Sequence, residues 1–410
     1  MTGLKTLAET RPERARAIAI ICLGIGETLI WAALFYSFAA LLLSWETDLG
    51  WEKSDLTLGL TVAIAVSALA SPITGRIIDA GYTRWMFLVG GTIGAAAFAC
   101  LIYAPTPLVF VLLWAVIGIS QGACLYEPCF ALVTRTTGAD ARKWITRITL
   151  MAGFASPISF PSGAYLASTY GWEVAVLVFA AVVIFIVVPL LFIGATLLEA
   201  AAGDHVTPKP KSENQAAVRS ALRKSAFWLL AIAFPLVGLN HGMVLNHIVP
   251  LLVEKGLTLT LAVSAASIVG PMQVAGRIAM MTVEKRFSAL TLTIISFCGT
   301  FVAALLLMVV GVEPLFAFAF AGLQGAAYGL LSILRPVIIA DFLGRTAFGA
   351  ISGLLAVPYL IGFAAAPHLA SLIWEVGSYD MMIPVAAMMS ALGAICIAAM
   401  AFLNKKSTQQ

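Results

Sequence analysis

The chain has 410 residues, of which 61% are hydrophobic and only 11% charged, and its mean hydropathy is +0.99. Soluble domains run at about 45–50% apolar and about 25% charged, so the composition excludes a soluble enzyme, a disordered chain and a nucleic-acid binder. One membrane-spanning helix uses about 20 apolar residues, so roughly 250 of them leave room for about twelve spans and little else. The formal net charge of +4 then concerns orientation rather than anionic partners.

Long apolar runs broken by polar or Gly/Pro stretches predict spans over 17–43, 55–74, 85–103, 107–133, 144–168, 174–198, 226–252, 259–280, 288–310, 315–340, 347–373 and 381–403. Short connections such as Ala104–Pro107 and Gly311–Pro314 force neighbouring helices to run antiparallel. The apolar run after Lys5, Arg11, Arg14 and Arg16 is too long for the core of a cleaved signal peptide, so it reads as the first span. The polar segment 199–225 separates six spans from six. The predicted organisation is a bundle over 1–198, a cytoplasmic linker over 199–225 and a second bundle over 226–410. With the N-terminus inside, only Lys53 and Lys255 of the 24 Lys and Arg fall outside, and Arg147 and Arg335 fall within spans. The positive-inside rule therefore predicts that both termini are cytoplasmic. The six Cys sit in apolar runs without metal-ligand spacing and read as small hydrophobes.

The halves repeat at an offset of about 200 residues. Gly75-Arg76-Ile77 matches Gly276-Arg277-Ile278, Gln121-Gly122-Ala123 matches Gln324-Gly325-Ala326, and Glu127-Pro128 sits where Arg335-Pro336 sits. Repeats related along the membrane normal are a transporter signature. Ionisable residues avoid spans three, six, nine and twelve and occur within spans one, four, five, seven, ten and eleven. A charge in hydrocarbon costs about 2.5–3.5 kcal/mol on the mildest scale. The charged helices are therefore expected to line a central polar path, while every third helix faces lipid.

The stretch Gly75–Arg84, GRIIDAGYTR, resembles the loop between helices two and three of the major facilitator superfamily through Gly75, Asp79, Gly81 and Arg84. Ala80 stands where a basic residue is usual, and the second Gly comes one position early. Gly276 to Arg286 is a degenerate second copy. The resemblance implies an all-α membrane fold of about twelve helices in two pseudo-symmetric six-helix bundles. The texture of spans one and seven is similar to the bacterial branch near monocarboxylate porters and oxalate–formate antiporters. The resemblance also implies a cytoplasmic gate at Gly75, Arg76, Asp79, Gly81 and Arg84. In it Gly75 admits a neighbouring helix and Asp79 accepts hydrogen bonds from a helix N-terminus or an Arg. Asp79→Asn is then expected to cut transport with expression intact.

Glu27 lies about ten residues, or about 15 Å, into span one, with Trp31 and Phe35 on its face. A carboxyl in that setting can bind and release a proton, or serve as a structural hydrogen-bonding group. Glu127 and Arg147 lie at equal distances from Thr137 across a hairpin, which predicts a buried ion pair. The same construction for Arg335 lands on apolar Leu354, so its guanidinium is read as binding a carboxylate solute or pairing with Glu27 or Glu127. In span seven, His241 and His247 are candidates for proton relay, for solute binding or for structural hydrogen bonding. Asn240, Gln121 and Gln324 are candidates for solute contact or helix adhesion. Trp31, Tyr126 and Tyr328 are candidates for an aromatic lining. Pro157, Pro161, Pro271 and Pro358 are expected to kink their helices.

These features predict a secondary active transporter, not an enzyme, with a small-molecule substrate, protons and the lipid bilayer as its partners. No catalytic residue, cofactor, metal or nucleic acid is expected, and the chain is expected to act as a monomer in a bacterial inner membrane. No Gly-Lys dipeptide occurs, so ATP drive through a phosphate-binding loop is not expected. The expected solute is a small organic anion, on Arg335 and the family texture. The alternative is a proton-driven efflux pump for drugs or a toxic metalloid, suggested by Gly153, Pro157, Pro161 and Gly163 in span five; Cys124 and Cys129, five residues apart, point different ways on a helix and add little to it.

Overall fold

A computed structural model describes residues 10–202, 212–283, 286–344 and 348–408. The described residues form helices and their connections, with no strand among them, in two compact units, Met1–Thr207 and Pro208–Gln410. Ten stretches are long and apolar enough to cross a membrane. One of them, Ile351–Leu403, is two helices meeting at Gly377–Ser378. Ala141–Ala152 and Ala155–Tyr170 make a further interrupted helix of span length. The total agrees with about twelve spans.

In the first unit, α1 (Pro12–Trp31) starts on a Pro, whose missing N–H is harmless in a first turn, with Glu13 beside it at the positive helix end. It passes through a π turn, Ala32–Tyr36, into α2 (Ser37–Leu49), which stops at Gly50 with φ +64°. A π turn interrupts the regular bonding of its carbonyls. Two are met from other helices: Ser159 Oγ donates to Ala32 O and Gln121 Nε2 to Leu34 O, each at 2.7 Å. The unit continues through α3 (Lys53–Asp79), α4 (Thr83–Cys100), α5 (Pro107–Cys124), α6 (Tyr126–Thr137), α7 (Ala141–Ala152), α8 (Ala155–Tyr170), α9 (Trp172–Val182) and α10 (Val188–Ala202). Phe38, Trp45, Phe110 and Trp114, all fully buried, pack edge to face as its aromatic core.

The second unit holds α11 (Ser212–Arg223), α12 (Ser225–Asn246), α13 (Ile248–Glu254), α14 (Leu259–Val283), α15 (Ala289–Met308), α16 (Leu315–Leu343) and α17 (Phe348–Thr408), the last being the double helix bent at Gly377–Ser378. The segment expected to be a plain linker contains α11. Val218, Ala221 and Leu222 lie on one face of that helix and pack onto the core with Phe227 and Leu343.

Three predicted spans are broken rather than continuous. Span four breaks at Leu125, span five at Gly153–Phe154 and span seven at His247. Each break lies where a Pro bears on the carbonyl four residues before it: Pro128 on Cys124, Pro157 on Gly153, Pro250 on Asn246. The second half does not copy the first here, because α16 runs unbroken through Pro336.

Candidate functional site

In the first unit the site is built where the π turn of span one faces the break of span four. Glu27 on α1 is fully buried, and neither of its oxygens has a hydrogen-bond partner at ordinary distance among the described residues. Its polar neighbours are the Cys129 thiol on α6 and the Trp31 indole one turn along. Trp31 packs on Tyr126 with ring centroids 4.8 Å apart, and Tyr126 stacks on Phe130 at 4.8 Å. The break at Leu125 starts a new helix at Tyr126 and so turns Tyr126 and Cys129 toward α1. Glu27, Trp31 and Tyr126 are thus brought together, and Cys129, which the sequence did not single out for this place, joins them. Gln121 donates its Nε2 to Leu34 O of the neighbouring helix, the kind of contact that helix adhesion uses.

The buried ion pair expected between Glu127 and Arg147 does not form. Both side chains are exposed, and Arg147 lies over the Trp144 ring at 4.6 Å. Equal distances along a hairpin give equal depth only when both helices are continuous. Here Pro128 and Pro157 break both of them.

In the second unit the predicted polar residues form one connected chain. Asn240 Nδ2 donates to Ala386 O at 2.9 Å, and Gln324 Nε2 donates to Asn240 Oδ1 at 3.0 Å and approaches His241 Nδ1 at 3.3 Å. His241 lies flat on Tyr328, with centroids 3.4 Å apart and planes 7° apart. The hydroxyls of Tyr328 and Tyr359 meet at 2.6 Å. The Arg335 guanidinium lies 4.3 Å from the Tyr359 ring and 5.4 Å from that of Phe234. Tyr359 carried no signal in the sequence and is the link between Arg335 and the rest. His247 stands apart at the break of span seven. It bonds the Tyr379 hydroxyl and Pro367 O, both at 2.9 Å, and reads as a structural strut.

The expected gate is described in part. The side chains of Arg76 and Asp79 lie outside the described residues. At Gly75, a Cβ would meet nothing within 4 Å among the described residues, so no close approach is seen there. Gly81, at φ +79°, closes α3: its N–H donates to Ile78 O at 3.0 Å and that of Tyr82 to Ile77 O at 3.1 Å. Arg135 of α6 donates to the same Ile78 carbonyl, and the Thr83 N–H donates to Glu199 of α10 at 3.2 Å. Arg84 extends over Trp85. Arg135→Leu is expected to lower stability by about 1–3 kcal/mol, read as a lower thermal midpoint in detergent. An unchanged midpoint would show that Arg135 does not hold this end of α3.

All six Cys are unbridged, and no cluster of three His, Cys, Asp or Glu suited to a metal ion occurs among the described residues. The family model described as the Major Facilitator Superfamily matches residues 16–311. Among solved structures, a mutant of the nucleoside transporter NupG is similar with a TM-score of 0.74 at 12% identity, covering 94% of this chain and 99% of that one. A bacterial homologue of the human lysosomal transporter Spinster, inward-facing and unoccupied, is similar with a TM-score of 0.61 at 14% identity, covering 95% of each chain. No curated protein sequence matches the chain.

Proposed function

The chain belongs to the Major Facilitator Superfamily, and on that premise we propose that it moves a small organic anion across the membrane by alternating access, driven by protons. The observation that carries this reading is Arg335. A guanidinium inside a membrane-spanning helix is costly and is kept there for a task. Here it lies against two aromatic rings, those of Tyr359 and Phe234, and the Tyr359 hydroxyl meets that of Tyr328. A guanidinium fixed in this way suits a carboxylate, which it can meet with two parallel hydrogen bonds. The resemblance of spans one and seven to the monocarboxylate and oxalate–formate branch supports an anionic solute. Glu27 is the proton-binding group of this reading. The Lys and Arg distribution supports an inner-membrane protein with both termini in the cytoplasm.

Arg335→Gln is expected to weaken carboxylate binding about a hundredfold, and Arg335→Lys is not expected to restore it, because an ammonium lacks the planar fork. Titration of carboxylates into the purified protein measures both. Carboxylate binding that is indifferent to Arg335 would remove this residue, and the anion with it. A second reading, proton-driven efflux of apolar toxicants, draws on a hollow of about 440 Å³ in the first unit. Its walls are Ile25, Leu29, Leu150, Met151 and Phe154, with almost no polar surface. Hypersensitivity of a deletion strain to such compounds, without loss of carboxylate uptake, would favour it.

A further inference from the structure

Ahead of span seven, between Asp204 and Glu254, the chain carries Lys209, Lys211, Arg219, Arg223 and Lys224 against a single acid, Glu213. Arg219, Arg223 and Lys224 are described with their side chains, and all three are exposed. Val218, Ala221 and Leu222 hold one face of α11 on the core of the second unit, so Arg219 and Arg223, four residues apart, stand together on the other face. None of the three makes an ion pair among the described residues. Lys224 gives one hydrogen to Phe342 O at 3.2 Å, which ties the corner between α11 and α12 to the end of α16, and an ammonium has two more to give. The same corner is where the chain enters span seven. Trp228, in the first turn of α12, is 57% exposed, while its neighbour Phe227 is buried. The Trp228 indole N–H donates to Leu222 O at 2.9 Å, a carbonyl that the end of α11 cannot satisfy itself. That bond draws the ring back to within one residue of Arg223 and leaves its apolar face uncovered.

We propose that the α11–α12 corner binds the phosphate headgroups of anionic phospholipids, with Arg219, Arg223 and Lys224 on the phosphates and Trp228 at the boundary between headgroups and acyl chains. A helix with an apolar face on one side and a basic face on the other, joined to an exposed Trp, is built to lie along a membrane surface. A guanidinium meets two phosphate oxygens at once, and an ammonium serves as a point charge beside it. Each basic residue near the surface strengthens attraction to an anionic leaflet by about 1 kcal/mol, or about fivefold. A zwitterionic headgroup brings its own cation, which three like charges repel. The orientation expected from the Lys and Arg distribution puts this corner in the cytoplasmic leaflet. The site uses none of the residues of the polar chain around Arg335, so it stands apart from the reading of the solute.

Fluorescence quenching in vesicles of phosphatidylcholine and phosphatidylglycerol in equal parts tests this, with bromine on the chains of one lipid or of the other. The difference between the unaltered protein and Trp228→Phe isolates the Trp228 emission. At Trp228 phosphatidylglycerol is expected to bind at least about fivefold more strongly than phosphatidylcholine. That ratio is expected to fall toward one when Arg219→Gln, Arg223→Gln and Lys224→Gln are combined, and to shrink as salt is raised. A second measurement leaves Trp228 in place. Phosphatidylglycerol added to the detergent-purified protein is expected to raise its thermal midpoint more than phosphatidylcholine does, and the three Gln substitutions are expected to remove that excess. Equal quenching by the two lipids, a preference that survives the three substitutions, or a Trp228 emission that neither lipid quenches overturns the site. Loss of the preference on adding inorganic phosphate, but not chloride at the same ionic strength, also overturns it, because the corner would then be a site for free phosphate.

Discussion

Glu27→Gln is expected to abolish proton-driven accumulation while leaving solute exchange in place. Glu27 is fully buried, and its polar neighbours among the described residues are the Cys129 thiol and the Trp31 indole. A neutral carboxyl fits such a site, and an ionised one needs donors that the site does not already aim at it. Cys124 on α5 and Cys129 on α6 are the titratable groups nearest to it. Arg147, on the neighbouring α7, is exposed and lies on Trp144. On the proton-driven reading, loss of the proton requires donors or water to reach Glu27, and the break at Leu125 is where α6 can shift to admit them. Gln has the shape of the protonated form and cannot ionise, so the variant keeps one state and loses the link to the gradient. With one proton moved per anion, a gradient of one pH unit supports about tenfold accumulation, or about 1.4 kcal/mol. A labelled carboxylate that the protein binds, in proteoliposomes with an inward proton gradient, should reach that ratio in the unaltered protein. In the variant it should stay near one, while counterflow from preloaded vesicles continues. A variant that accumulates solute like the unaltered protein removes Glu27 from coupling.

The polar residues of a membrane helix are legible because hydrocarbon makes each of them expensive. Asn240, Gln324 and Arg335 stand out on that ground and lie in one chain of contacts with Tyr328, while Glu27 lies beside Trp31, which packs on Tyr126. What joins them was not legible. Tyr359 is one aromatic among many, Cys129 reads as a small hydrophobe, and the Ala386 carbonyl carries no side-chain signal at all. The Glu127–Arg147 pairing failed for a different reason. It assumed unbroken helices, although Pro128 and Pro157 stood in the sequence where each removes a bond to the carbonyl four residues earlier. Arg135 was counted only as a marker of the inner face, because nothing in its neighbours shows that α6 returns to the end of α3.

The glycines of the repeat separate packing from sequence resemblance, and Gly325→Ala is expected to be severely destabilising where Gly75→Ala is not. A Cβ on Gly325 would collide with the backbone carbonyl of Val269 on α14, and one on Gly122 would come within 2.9 Å of Ser67 O on α3. Gly329, one turn from Gly325, faces the backbone of Gln273 in the same way. Small residues four apart let two helix backbones touch, and backbone cannot swing aside as a side chain can. Overpacking a rigid site costs about 1–3 kcal/mol, and more where backbone must move. Gly75 lies in the interior of α3 with open space around it, so Ala there removes only the helix penalty of glycine and should stabilise by about 0.5–1 kcal/mol. Thermal midpoints in one detergent compare the two, and equal midpoints would mean that α14 and α16 do not approach so closely. The effect reaches the polar chain of the second unit, because Gly325 adjoins Gln324, whose amide donates to Asn240 Oδ1 at 3.0 Å.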